Sequence, residues 1–228
     1  MGSYRDLVDQ VGGIEVVLQD YAKEAAGSVK ALRSEVASRK AAQEDLRRTQ
    51  ANIQSLQNQY QNLYTEYQQA VRRAQEADAD EDSGGGDDAD AILGQMLSVQ
   101  QQIQSEQANA EKKRAEIQAI EAQIEKYKKE LQEYRDNIQR KKMEIEGLQS
   151  ALYQYYQSHG SAKNSFSSLG GHFGGGLASS KASFHSAAEQ ECSEAINDCG
   201  TLKTYADRII MHIDEELERK ENDRGYER

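Results

Sequence analysis

The chain has 228 residues, of which 37% are hydrophobic and 29% charged, with no proline, no tryptophan and a formal net charge of −11. So polar a composition is wrong for one compact domain of this length, while the absence of proline is what long uninterrupted helices permit. The acidic balance argues against nucleic acid and anionic membrane as partners, since both are bound through positive patches.

From Tyr4 to about Gln75 the apolar residues keep an alternating step of three and four: Leu7, Val11, Ile14, Leu18, Tyr21, Ala25, Leu32, and after a polar stretch Leu46, Ile53, Leu56, Tyr60, Leu63, Tyr67. This is the period of an amphipathic helix. Gly12 and Gly13 each cost about 1 kcal/mol relative to Ala inside a helix, so a bend or break is expected there. A tip follows over residues 77–91, with Asp-Ser-Gly-Gly-Gly-Asp-Asp at 82–88 and no base among its acids. Asp78, Asp80 and Asp82 fit the first three ligand positions of an EF-hand loop. Ser83 stands where the turn glycine belongs and Ala89 where the bidentate acid belongs, so the tip reads as a solvated loop and not a calcium site.

The stretch Ile92 to Tyr156 carries the strongest signal. One edge reads Met96, Ile103, Ala110, Ile117, Ile124, Leu131, Ile138, Ile145, Leu152; its companion reads Ile92, Val99, Glu106, Lys113, Ile120, Tyr127, Tyr134, Lys141, Leu148, Tyr155. Such a sustained heptad means a helix that supercoils against another, and its length is roughly 95 Å at the helical rise. Joined to the first helix by a short tip, it makes an antiparallel hairpin over residues 1–157. With the fold-back centred near Ser83, residue n faces roughly residue 166 − n. Leu46 then meets Ile120, Leu32 meets Tyr134 and Leu18 meets Leu148, while Glu106 and Lys113 interrupt the seam opposite the Ile53–Tyr60 region.

Residues 158–182 are rich in Gly and Ser, yet Phe166, Phe173 and Phe184 lie in or beside them. A pure linker has no need of aromatics, so the stretch reads as a turn-rich connector that docks its Phe side chains on the hairpin. Residues 183–228 resume the heptad as Phe184, Ala188, Cys192, Ala195, Cys199, Leu202, Ala206, Ile209, Ile213, Leu217. The fold class is therefore all-α: a long antiparallel coiled-coil hairpin with a C-terminal amphipathic helix packed on its base, the two-helix arm running roughly 50 Å beyond.

Chemistry is sparse. His185, Cys192 and Cys199 recur every seven residues, but one helical interval of seven spans about 10.5 Å, too far for one zinc ion or for a disulfide. None of the four histidines has a glutamate three positions earlier, as a di-iron bundle requires; His212 and Glu216 share a face and read as surface residues. No phosphate-binding glycine motif and no nucleophile with its base can be nominated. The expectation is a protein that is not an enzyme and has no metal or cofactor. Residues 1–25 lack a secretory pattern, Asp6 rules out a myristoylation signal, and no stretch approaches the roughly 20 apolar residues of a membrane span. Two cysteines are too few to frame a secreted domain, so the default compartment is the cytoplasm. Tyr64 and Tyr156 fall off the seam, where a tyrosine offers contact area with a polar end. With Phe166, Phe173, Ile209 and Ile213 they are the candidate partner-binding residues. Co-assembly with a helical protein is the leading expectation, and a self-assembling scaffold or spacer the alternative.

Long polar helices, a Gly/Ser break holding Phe173-Gly174-Gly175 and an amphipathic helix near the C-terminus together resemble type VII secretion accessory proteins. The likeness is to the small Trp-x-Gly helical hairpins and the helical partners of LXG-type toxins, with Phe173 in the tryptophan's place. It covers mainly residues 150–220. The resemblance implies a chaperone or targeting partner that pairs helices with a toxin's N-terminal domain, exported, if at all, without a signal peptide.

Overall fold

The structure, a computed structural model, describes residues 4–77, 85–171 and 175–225, with side chains described for all of these except 77, 85–87 and 220–225. It is built of three helices: α1 (Tyr4–Ala77), α2 (Gly85–Leu169) and α3 (Gly176–Gly225), of 74, 85 and 50 residues. No strand occurs among the described residues. The fold is all-α, an antiparallel helical hairpin with a C-terminal helix packed on it.

Three local expectations are corrected. First, α1 passes through Gly12 and Gly13 without a break. Their neighbours Val11, Ile14 and Leu18 are buried, and each such burial contributes roughly 1.5–3 kcal/mol, more than the glycines cost. Second, α2 begins at Gly85, so the tip is shorter than 77–91. Asp88 and Asp90 in the first two turns of α2 complement the positive end of the helix dipole, which offsets the poor propensity of the glycines. Asp78, Asp80, Asp82 and Ser83 lie outside the described residues.

Third, most of the 158–182 connector is helical: α2 continues to Leu169 and α3 starts at Gly176. Serine disfavours helix interiors because its hydroxyl competes for the backbone, but here the hydroxyls bond back within the helix. Ser158 donates to the Gln154 carbonyl at 2.6 Å, Ser161 to Gln157 at 3.2 Å and Ser165 to Ser161 at 3.1 Å. The backbone N–H of Gly170 closes the last turn of α2 on the Phe166 carbonyl at 3.2 Å.

The chain forms two compact units, Met1–Leu32 with Lys126–Arg228, and Arg33–Glu125. In the first unit three helices enclose a core whose fully buried side chains include Leu18, Leu32, Leu131, Ile138, Ile145, Leu152 and Ile213. These are heptad positions from all three helices, which is why the seven-residue step ran through the sequence. Arg135 pairs with Asp214 at 3.5 Å, Lys203 with Glu146 at 3.0 Å, and Lys142 with Asp207, so α2 and α3 are antiparallel. Glu216 is 2% exposed and pairs with Arg219 at 3.7 Å. It occupies the core position after Ile213 and is not the surface residue expected, whereas its presumed companion His212 is exposed. The second unit is a helix pair. Leu63, Met96 and Val99 are buried at its centre with Leu56, Tyr60, Tyr67, Ile92 and Ile103 packed around them.

The register of α1 against α2 also differs from expectation. Tyr4 meets Tyr155, Tyr21 meets Tyr134 and Ser28 meets Glu130 in the first unit, and Asp45 meets Lys113 in the second. Residue n therefore faces about residue 158 − n, roughly one heptad away from the register expected. Leu32 does not meet Tyr134, and Lys113 answers Asp45 and not the Ile53–Tyr60 region. A slip of one heptad keeps the apolar faces together, so hydrophobic pattern alone does not detect it.

Candidate interaction surface

Where α2 ends and α3 begins, in the first unit, the side chains build a file of rings. Tyr4 and Tyr155 lie with centroids 5.6 Å apart, and Tyr155 stacks on His159 at 3.8 Å. His159 approaches His185 at 5.1 Å, and His185 stacks on Phe166 at 5.4 Å with an interplanar angle of 11°. Phe184 meets His185 edge-on at 5.9 Å, and the Lys181 ammonium sits 5.4 Å over the Phe166 ring. Helical spacing explains the file. Tyr155, His159 and Phe166 recur at four and seven along α2, so they share the face that α3 covers. Rings at such distances contribute beyond simple burial, and the cation over Phe166 adds to that.

Polar contacts fix the rings. His159 Nδ1–H donates to the Tyr155 carbonyl at 3.0 Å. His185 Nδ1 is buried and has no hydrogen-bond partner. Lys163 bridges to α3, pairing with Glu189 at 3.3 Å and donating to Ser186 at 3.4 Å. Gly160 is the close approach: a Cβ there would sit 2.8 Å from Glu189 Oε1. Burial, and then the Glu191 carboxylate that accepts from it, raise the Tyr4 hydroxyl above its usual pKa. Burial does the same for Tyr155, and for the Cys192 thiol alongside.

The same ends of α2 and α3 carry exposed apolar residues. Tyr153, Tyr156 and Leu169 of α2 and Leu177 and Phe184 of α3 are exposed, Leu177 by 80% and Phe184 by 58%. The heptad puts Phe184 on the buried face of α3, but the side chain is exposed. Among the described residues α1 begins beside α3 near Glu191, and of these the end of α2 flanks α3 at Phe184.

The candidate residues separate. Tyr156 is exposed, and Phe166 is half-buried in the ring file. Phe173 lies outside the described residues. Ile209 and Ile213 are buried, at 9% and 0% exposure, in the core of the first unit. Tyr64 is exposed in the second unit. Leu169, Leu177 and Tyr153 were missed because an exposed apolar residue carries no signal in a heptad pattern. Cys192 and Cys199 are free, buried thiols. Among the described residues no group of three His, Cys, Asp or Glu side chains could hold a metal ion, and no helix is long and apolar enough to cross a membrane. No family model, curated protein or solved structure matches the chain.

Proposed function

We propose that the chain is a non-enzymatic helical interaction protein that docks a helical partner on the α2–α3 end of its first unit. The observation that carries this reading is that Tyr153, Tyr156, Leu169, Leu177 and Phe184, all from the end of α2 and the start of α3, stand exposed in the first unit, with Phe184 in contact with the ring file. Aromatic side chains displayed on ordered helices bring large contact area at low entropic cost. The resemblance to type VII secretion accessory proteins supplies the partner class: the helical N-terminal domain of an LXG-type toxin, for which this chain acts as chaperone or targeting partner. Co-expression with the products of neighbouring genes tests it. A complex that co-purifies with the wild type and is lost with Phe184→Lys and Tyr156→Lys supports the reading; a complex indifferent to both removes this surface from it. The second reading, a self-assembling scaffold or spacer, is favoured by unbroken helices of 74 and 85 residues.

A further inference from the structure

In the second unit the residues that immediately follow the core positions share one side of the helix pair. Reversing a helix reverses the sense in which its residues wind, so in an antiparallel pair the followers of both helices point the same way. In α1, Gln54, Gln61 and Gln68 follow Ile53, Tyr60 and Tyr67, and Tyr64 follows Leu63. In α2, Leu93 and Leu97 follow Ile92 and Met96, and Gln100 and Gln104 come next on the same side. All are exposed, Tyr64 by 48%, Leu93 by 40% and Leu97 by 54%. From the register of the pair, Tyr64 lies level with about residue 94, between the two leucines.

This side is also without charge. Between Arg48 and Arg72 the sole charged residue of α1 is Glu66, and between Asp90 and Glu111 the sole one of α2 is Glu106. Neither follows a core position. The flanks differ in sign. Arg47, Arg48, Lys112, Lys113 and Arg114 gather at one end, opposed by Glu44, Asp45, Glu111 and Glu116; past Arg72 and Arg73, towards the other end, come Glu76, Asp88 and Asp90, and the sequence from 76 to 90 carries eight acids and no base. Arg47 and Arg48 are 78% and 72% exposed despite their pairing to Glu44.

We propose that this glutamine-lined side seats a second copy of the chain, antiparallel to the first about a two-fold axis near Tyr64. A primary amide donates and accepts, so a glutamine surface is complementary to itself. Two chains of net charge −11 repel wherever their charges meet, and least where there are none. The antiparallel arrangement sets the basic end of each copy beside the acidic end of the other, and a two-fold axis brings Tyr64, Leu93 and Leu97 against their equivalents. The uncharged stretch is roughly 35 Å long and a helix pair roughly 20 Å wide; an axis near Tyr64 overlays about 20 Å of that length on itself, about 400 Å² on each side, which is the size of a weak, reversible interface. The inference gives the scaffold reading its surface. It is independent of partner docking at the α2–α3 end, because no residue is shared.

Sedimentation velocity of the whole chain from about 5 to about 500 μM tests it. A monomer–dimer equilibrium is expected, weakened at least about tenfold by Leu93→Lys with Leu97→Lys, and separately by Tyr64→Lys. Circular dichroism should show helicity retained, since all three side chains are exposed. Val16→Lys, at an equally exposed site of the first unit, should leave the equilibrium unchanged. Raising salt from about 50 to about 500 mM should weaken the dimer by screening its opposed ends. A monomer at every concentration, a dimer indifferent to the lysine variants, or a dimer strengthened by salt would overturn the proposal; in none of these cases is the toxin-docking reading touched.

Discussion

Arg39 stands on the core face of α1 with 8% exposure, and its Nε has no hydrogen-bond partner. A buried donor left unpaired costs about 1–3 kcal/mol, whereas an apolar side chain of similar length has no such debt. Arg39→Met is expected to raise the urea midpoint by an equivalent amount, and a lower midpoint would show that the guanidinium contributes to stability. In the sequence Arg39 falls in the polar stretch between Leu32 and Leu46, where apolar periodicity marks no core position. Glu216 was hidden too. Its position is set by the step from Ile209 and Ile213, but an acid at that step looks like a return to the surface. Phe184 shows the converse, an apolar residue at the right step that stands exposed.

At the scale of the element, helix type and the faces that meet were legible throughout, because nine heptads in α2 tolerate only one reading. The ends of helices and the register were not. The serines and Gly160 at 158–169 carry turn propensity, and only bonds such as those of Ser158, Ser161 and Ser165 to the carbonyl four residues back show that the helix absorbs them. Register depends on where the tip begins and on single polar pairs such as Asp45 with Lys113, both invisible to a repeat of seven. A direct measurement separates the two registers. Cysteines at Ser28 and Glu130, whose side chains touch at 3.1 Å, should be joined within one chain by a short bismaleimide. Cysteines at Leu32 and Tyr134, offset by about two helical turns along the axis, should not. The native thiols interfere little, since Cys192 and Cys199 are buried and burial raises both pKa values.

For the whole molecule the pH dependence has a definite sign. Burial raises the hydroxyl pKa of Tyr4, Tyr134 and Tyr155, with the Glu191 hydrogen bond adding at Tyr4 and the Glu24 carboxylate at Tyr134. A group whose folded pKa is raised contributes stability that is complete below the unfolded value, about 10, and is lost as pH climbs through the folded one. The melting temperature should hold level from neutrality to about pH 9 as far as these groups are concerned, then fall, with tyrosinate absorbance lagging that of the unfolded chain. Tyrosinate rising with no lag and no loss of stability would show that the three rings are solvated. The one-heptad ambiguity also has a kinetic side. A hairpin closed a heptad out of register buries almost the same side chains as the native one, so it is a natural trap on the way to the folded state. The chain contains no proline, and prolyl isomerisation is therefore absent as a source of slow refolding. A slow phase independent of concentration would measure the escape of α1 from the wrong heptad of α2, and the crosslink between positions 28 and 130 should erase it.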